Sequence, residues 1–289
     1  MAATRSIRKV VLPVAGLGTR CLPATKVLPK EMLPVFDRPL IQYAIEEAAA
    51  AGISDVILVT ARGKSLLEDH FDRAPELERV LEARGKTDAL ALARGTLPAG
   101  VSVSAVRQPE ALGLGHAVWC ARALIGDEPF AVMLPDDLVL APRACIAQMI
   151  EAWQKTGGNM AAVEEVPAAD TARYGILDVA QDDGVLARAR GLVEKPQPEA
   201  APSRLAIIGR YILEPTVLRA LDGGKRGAGG EIQLTDAMAD CIAHTPFHGF
   251  RFQGRRIDAG TPQGLLESSV AVAARDPVLR QRLRALLGD

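Results

Sequence analysis

The sequence predicts an α/β fold: a doubly wound, mostly parallel central sheet with helices on both faces. Three observations carry this reading. Short apolar runs alternate with stretches of helical spacing through the first half of the chain, which is the pattern of a parallel sheet covered by crossover helices. The first apolar run leads straight into a glycine loop. The composition, 289 residues with 48% apolar and 24% charged and a net charge of -1, describes a globular chain long enough to bury a sizeable core.

Residues 9–15 read as a strand feeding the glycine loop. Leu40 to Ala51 has helical spacing and stops at Gly52, a good helix terminator. Strands follow at Asp55 to Ala61, Val101 to Arg107 and Phe130 to Leu134, with helical stretches at about Lys64 to Arg84, His116 to Leu124 and Arg143 to Lys155. In such sheets ligands gather beyond the carboxyl ends of the strands, so the loops after Ala15, Arg107 and Leu134 are the first candidates for a site. The second half is less regular. Met160 to Val166, Gly175 to Val179, Arg190 to Glu194 and Leu205 to Leu213 read as strands with short connections. Pro215 to Leu221, Ile232 to His244, Thr261 to Arg275 and Val278 to Leu287 read as helices. The proline-rich stretch from Gln197 to Ser203 is short enough to be a surface turn. With no internal repeat and no linker, residues 1–289 are expected to form a single domain.

Charge and cysteine usage exclude several classes. A near-zero net charge argues against a nucleic-acid-binding protein and against a disordered chain. No apolar run approaches the 18 or so residues that cross a bilayer, and the basic stretch Met1 to Lys9 is not followed by a signal-peptide core. Cys21, Cys120, Cys145 and Cys241 are scattered without paired spacing, so neither a disulfide framework nor a zinc site is expected. A cytoplasmic protein with no membrane and no nucleic-acid partner fits best.

The richest segment runs from Leu12 to Arg20 and on to Lys26, Lys30 and Pro34. Gly16 and Gly18 let the backbone approach a ligand and turn successive N–H groups toward it, which suits a phosphate. Arg20, Lys26 and Lys30 add cations nearby. Glycines also end strands for conformational reasons alone, and a strand followed by Gly-x-Gly is weak by itself. The third glycine of the dinucleotide fingerprint is missing, and no Gly-Lys-Thr/Ser follows.

The run from Gly16 to Pro34 resembles the signature of the sugar-nucleotide pyrophosphorylases. Further blocks match that family in the same order: Glu68-Asp69-His70-Phe71, residues 108–121, Leu134-Pro135-Asp136-Asp137, Tyr174-Gly175, residues 191–196, Gly209-Arg210-Tyr211, residues 229–236 and Asp258-Ala259-Gly260. Ala24-Thr25-Lys26 and Pro29-Lys30-Glu31 are similar in particular to its bacterial members that act on UTP and glucose 1-phosphate. The likeness covers nearly the whole chain. It implies a Rossmann-like nucleotidyltransferase fold with a smaller sugar-binding subregion. The nucleotide half would span about 1–140, and the sugar-phosphate and helical part about 141–289. It also implies Mg2+, UTP and glucose 1-phosphate as reactants, UDP-glucose and pyrophosphate as products, and a homodimer or homotetramer. A dTTP-dependent relative, a different sugar and a non-catalytic regulatory paralogue are the alternatives.

Residue by residue, the resemblance implies that Ala15, Gly16, Gly18, Lys26, Gln108 and Gly113 bind nucleotide. The amide of Gln108 offers a donor and an acceptor that complement the edge of uracil. Arg20 and Lys30 would neutralise the triphosphate, and with Lys195 they form the catalytic set. Gly175, Glu194 and Lys195 would hold the sugar phosphate. Neighbouring side chains in a strand point to opposite faces, so joint action of Glu194 and Lys195 requires a bend, which Pro196 makes plausible. Asp136 and Asp258 would hold the metal, with Asp137 a weaker candidate. The sequence departs from the family pattern at Cys21, Arg204 and Thr261-Pro262, on what is expected to be the sugar side.

Overall fold

Alternation along Lys9–Pro13 decides how the molecule is layered. Val11 faces one hydrophobic core and Val10 and Leu12 face another, as the two-residue period of a strand requires. Phe130–Met133 repeats the pattern, with Phe130 and Val132 on one side and Ala131 and Met133 on the other. A strand buried on both faces reads as an unbroken apolar run, which is why these segments are visible in the sequence. The computed structural model describes residues 6–288; residues 1–5 of the basic N-terminal stretch and residue 289 lie outside that range.

The central sheet has nine strands in the order Ser102–Arg107, Asp55–Thr60, Lys9–Pro13, Phe130–Met133, Leu205–Leu213, Asn159–Glu165, Phe247–Arg251, Leu186–Glu194, Gly175–Asp182. The first four pair in parallel. Every strand runs the same way except Leu205–Leu213 and Leu186–Glu194, which are antiparallel to their neighbours. Helices Leu40–Ala50 and Cys145–Thr156 cover one face through Ile41, Ala44, Ile45, Met149 and Trp153. Leu114–Cys120, Thr216–Asp222 and Leu234–Cys241 cover the other through Ala117, Val118, Val217, Leu221 and Met238. Each fully buried aliphatic or aromatic side chain in these layers contributes about 1.5–3 kcal/mol.

The structure corrects several element boundaries. The helical stretch expected at Lys64 to Arg84 is two helices, Leu66–Asp69 and Pro75–Ala83, because Pro75 has no N–H to continue a helix and takes its first position instead. An additional helix, Thr87–Arg94, follows. Phe247–Arg251 is a strand of the large sheet. Two small antiparallel pairs were not expected: Pro34–Val35 with Arg38–Pro39, and Asp137–Leu140 with Arg255–Asp258. The second pair matters most, because its register sets Asp258 opposite Asp137 and so brings a C-terminal carboxylate to the rim of the N-terminal strands. Among the described residues no helix is long and apolar enough to cross a membrane.

Candidate active site

The loop after the first strand folds back on itself. Gly18 adopts φ 66°, a left-handed conformation natural only to glycine, and starts a short turn at Thr19–Cys21. A side chain there would press on Thr25 and Lys30, whose Cβ would lie 3.1 Å away. The Thr25 hydroxyl donates to the Gly18 carbonyl at 2.7 Å, and this closes the loop so that Lys30 sits beneath it. Gly16 is different. It is exposed, its φ is not left-handed, and nothing lies within 4 Å of where a Cβ would be. Among the described residues no contact requires glycine at that position, and its backbone is exposed. Ala15 is buried at the strand end and Lys26 is exposed.

Below this loop lies a cluster of alternating charge. Lys30 Nζ donates to Asp136 Oδ2 at 2.6 Å. Arg20 spans two carboxylates, 3.4 Å from Asp136 Oδ2 and 3.3 Å from Asp258 Oδ2. Arg173 reaches the same Asp258 oxygen at 3.5 Å. Burial alone would pull the Lys30 ammonium below its ordinary value, but the adjacent Asp136 outweighs it and the value is raised. Burial alone would likewise push the Asp136 carboxyl up, but Lys30 and Arg20 hold it below the usual carboxylate range. Both are therefore charged at neutral pH. The backbone N–H of Gly260 donates to Asp258 Oδ1 at 3.0 Å and fixes that carboxylate.

Asp137 has another task. Its two oxygens accept from Arg256 at 2.6 Å and from the Gly209 N–H at 2.7 Å. Arg256 also reaches Glu164 and the Tyr174 hydroxyl. This partly buried network ties the Arg255–Asp258 strand to the sheet, and both oxygens of Asp137 are spent on it.

On the other side of the cleft, Lys195 adopts φ 48° and its N–H donates to the Tyr174 carbonyl at 2.9 Å. This left-handed residue supplies the bend that joint action of Glu194 and Lys195 requires. The two side chains meet, with Lys195 Nζ 3.3 Å from Glu194 Oε1. Gly175 lies against Thr235 and Glu194, where a Cβ would meet Thr235 Oγ1 at 2.9 Å.

One cleft joins the two sides, lined by Arg20, Asp136, Asp258, Gly175, Glu194 and Lys195, with Lys30 bonded to Asp136 behind it. Arg173, Tyr211, Thr235 and Arg256 also line it and were not singled out as site residues in the sequence. Arg173 abuts the Tyr174-Gly175 block, and Arg256 shares a strand face with Asp258 by the two-residue period; those were the available signals. Gln108 and Gly113, like Ala15, Gly16, Gly18 and Lys26, are not among the residues that line this cleft. Gln108 Nε2 donates to the Gly113 carbonyl at 3.0 Å and lies 3.1 Å from His116 Nδ1. The space beside Gly113 is filled by Glu231 and Ile232, whose atoms would lie 2.8 Å from a Cβ. Gly113 is therefore needed for packing against that segment. None of the departures from the family pattern lines the cleft. Arg204 pairs with Glu165 on the surface, Cys21 packs on the Gly260 carbonyl, and Thr261 caps the helix Pro262–Ala273 by accepting the Gly264 N–H.

The cleft sets arginine and lysine side chains beside paired carboxylates at one rim of the sheet. Residues 9–275 match the nucleotidyl transferase family, and the chain belongs to it. More particularly, it is 54% identical over 257 residues to the UTP–glucose-1-phosphate uridylyltransferase of Komagataeibacter xylinus, covering 89% of this chain and 90% of that protein. It is 46% identical to the enzyme of the same name from Bacillus subtilis (strain 168), covering 96% and 95%. The fold is similar to that of UTP-bound UGPase from Acinetobacter baumannii, with a TM-score of 0.90, 42% identity, and 98% and 99% of the two chains covered. It is also similar to a UDP-glucose pyrophosphorylase complexed with UDP-glucose, with a TM-score of 0.85, 40% identity, and 94% and 100% covered. The resemblance read from the sequence is borne out.

Proposed function

We propose that this chain transfers a uridylyl group from UTP to glucose 1-phosphate, giving UDP-glucose and pyrophosphate. The observation that carries the reading is the single cleft in which the Arg20–Lys30–Asp136–Asp258 cluster faces Glu194 and Lys195. Relatives at high coverage act on these substrates by name, and a similar structure holds UTP.

In this reading the nucleotide lies over Ala15, Gly16 and Gly18, with its base toward Gln108 and Gly113 and Lys26 at the margin. Glu194 accepts hydrogen bonds from sugar hydroxyls beside the Gly175 backbone, and Lys195 holds the sugar phosphate. A phosphate oxygen of glucose 1-phosphate attacks the α-phosphorus of UTP, and the bond to the β-phosphate oxygen breaks with its electron pair leaving on pyrophosphate. No covalent intermediate on the protein is required. Both reactants are anions, so the work of Arg20, Lys30 and Lys195 is to bring them together in line and to offset charge as it moves to the leaving group.

Asp136 and Asp258 fit a divalent cation. Each directs a carboxylate oxygen at the Arg20 guanidinium, so the space between them already accommodates positive charge. Magnesium takes one or two carboxylates together with substrate phosphates. Bound there, Mg2+ would supply further neutralisation of the phosphate oxygens. Asp137 is left out of this set by its bonds to Arg256 and Gly209.

The reading extends to a nucleotide half of about 1–140 and a sugar half of about 141–289, to a cytoplasmic location in keeping with four free cysteines, and to a homodimer or homotetramer, which light scattering would test. The decisive experiment is pyrophosphate release from UTP, dTTP and CTP against several sugar 1-phosphates, with and without Mg2+. Highest turnover is expected for UTP with glucose 1-phosphate and Mg2+. Faster turnover with dTTP or another sugar would displace the assignment.

A further inference from the structure

Behind the cleft lies a buried ion pair that the reaction does not use. Glu31 is fully buried and Lys64 nearly so; their charged groups are 3.0 Å apart. The Lys64 ammonium also donates to the Val14 carbonyl. Val14 immediately precedes Ala15 and Gly16, and Glu31 immediately follows Lys30. One ammonium, carried on the loop after Asp55–Thr60, therefore clasps both ends of the segment that runs from the glycines to Lys30.

As a stabilising device this pair is poor. Two charges are withdrawn from water, and Glu31 Oε1 has no hydrogen-bond partner among the described residues. Burial pushes the Glu31 carboxyl up and the Lys64 ammonium down. A buried pair of this kind is commonly replaceable by apolar side chains without loss of stability, although removing one partner alone is damaging. What the pair does do is continue a line of alternating charge into the cleft. Glu31 favours the charged form of Lys30, Lys30 holds Asp136, and Arg20 joins Asp136 to Asp258.

We propose that Glu31 and Lys64 are positioning residues, which hold the Gly16–Lys30 segment closed and aim the Lys30 ammonium at the triphosphate. This rests on the nucleotide reading given above. Neither residue touches substrate; both act through Lys30 and the Val14–Gly16 backbone.

The test compares Glu31→Gln, Lys64→Gln and the double substitution E31Q/K64M by denaturant unfolding, by calorimetric binding of UTP, and by the KM for glucose 1-phosphate at saturating UTP. Each single substitution is expected to lower stability. The double substitution removes both charges together and is expected to regain most of that loss, yet to bind UTP about tenfold more weakly, the scale of one loosened charge-assisted hydrogen bond. The KM for the sugar phosphate should stay within about twofold of the unaltered chain, as a general loss of structure would not allow. Lys64→Gln, which keeps a neutral donor for the Val14 carbonyl, should show the same selective weakening if the double substitution does not fold. Unaltered UTP binding in a folded variant overturns the positioning role alone. If the unaltered chain itself fails to bind UTP, the nucleotide reading and this one fall together.

Discussion

Lys195 carries two separable properties, a left-handed backbone and an amine, and substituting it with alanine and with glycine distinguishes them. At φ 48° any residue with a Cβ is strained by about 1–2 kcal/mol, whereas glycine enters this region freely but loses more chain entropy on folding, about 0.5–1 kcal/mol. The half-exposed pair with Glu194, 3.3 Å apart, is worth about 0–1 kcal/mol and is lost in both variants, so it cancels in the comparison. Lys195→Gly should therefore be more stable than Lys195→Ala by about 0.5–1 kcal/mol, read as a shift in the denaturant midpoint at constant slope. Activity should fall in both. Loss of an amine proposed to hold one of two reacting anions is expected to lower kcat/KM about 100-fold, or about 2.7 kcal/mol of transition-state stabilisation. A glycine variant less stable than the alanine variant would refute the strain. Either variant within about threefold of wild-type kcat/KM would remove the amine from the reaction.

Three further outcomes follow from the same geometry. Asp136, depressed by Lys30 and Arg20 against the effect of burial, contributes stability that is present above the ordinary carboxyl range near pH 4 and lost as pH falls through its lower folded value. The stability difference between the wild type and Asp136→Asn should therefore narrow from pH 7 toward pH 2–3, and a constant or widening gap in acid unfolding would contradict this; Mg2+-dependent turnover of the variant should be absent. Gly260→Ala places a methyl against the Arg20 guanidinium and 2.8 Å from Asp136 Oδ2; because the arginine tip can move, folding should survive while kcat/KM falls by about tenfold or more, and unchanged kinetics would show that the Arg20 bridge is dispensable. Chelation should weaken UTP binding about tenfold in calorimetry without altering the far-ultraviolet circular dichroism; equal affinity with and without Mg2+ would separate the carboxylates from the nucleotide site.

How much was legible in the sequence depended on what each segment is buried against. Strands with two apolar faces, such as Lys9–Pro13 and Phe130–Met133, announce themselves. Phe247–Arg251 does not, because Gly249 at its centre reads as a breaker; in the sheet a Cβ there would meet Leu177 at 2.5 Å and Val163 at 3.0 Å, so the glycine is a packing requirement. Arg255–Asp258 was hidden for a related reason. Arginines in sequence read as solvated, yet Arg256 is half-buried and bonded to Asp137 and Glu164. Arg20, Lys30 and Asp136 were picked out together in the sequence because they fall in loops that the strand order places on one rim. Arg173 and the Glu31–Lys64 pair were not read out, because their significance lies in which distant charge each one meets.

Among the described residues each cleft cation is paired with a carboxylate: Arg20 with Asp136 and Asp258, Arg173 with Asp258, Lys195 with Glu194 and Arg256 with Asp137, while Lys30 behind them pairs with Asp136. An entering triphosphate must compete with those carboxylates for the same donors. With Asp136 and Asp258 neutralised by a divalent cation instead, Arg20 and Arg173 lose their internal partners and become available to phosphate oxygens. On the function proposed above, that competition would couple metal and nucleotide binding positively, and linkage requires the coupling to be equal in both directions. UTP must therefore tighten metal binding by the same factor by which the metal tightens UTP. Loss of that coupling in Arg20→Ala would tie both ligands to this one charge cluster, and Arg173→Ala, which removes one competitor for Asp258, should raise metal affinity in the absence of nucleotide.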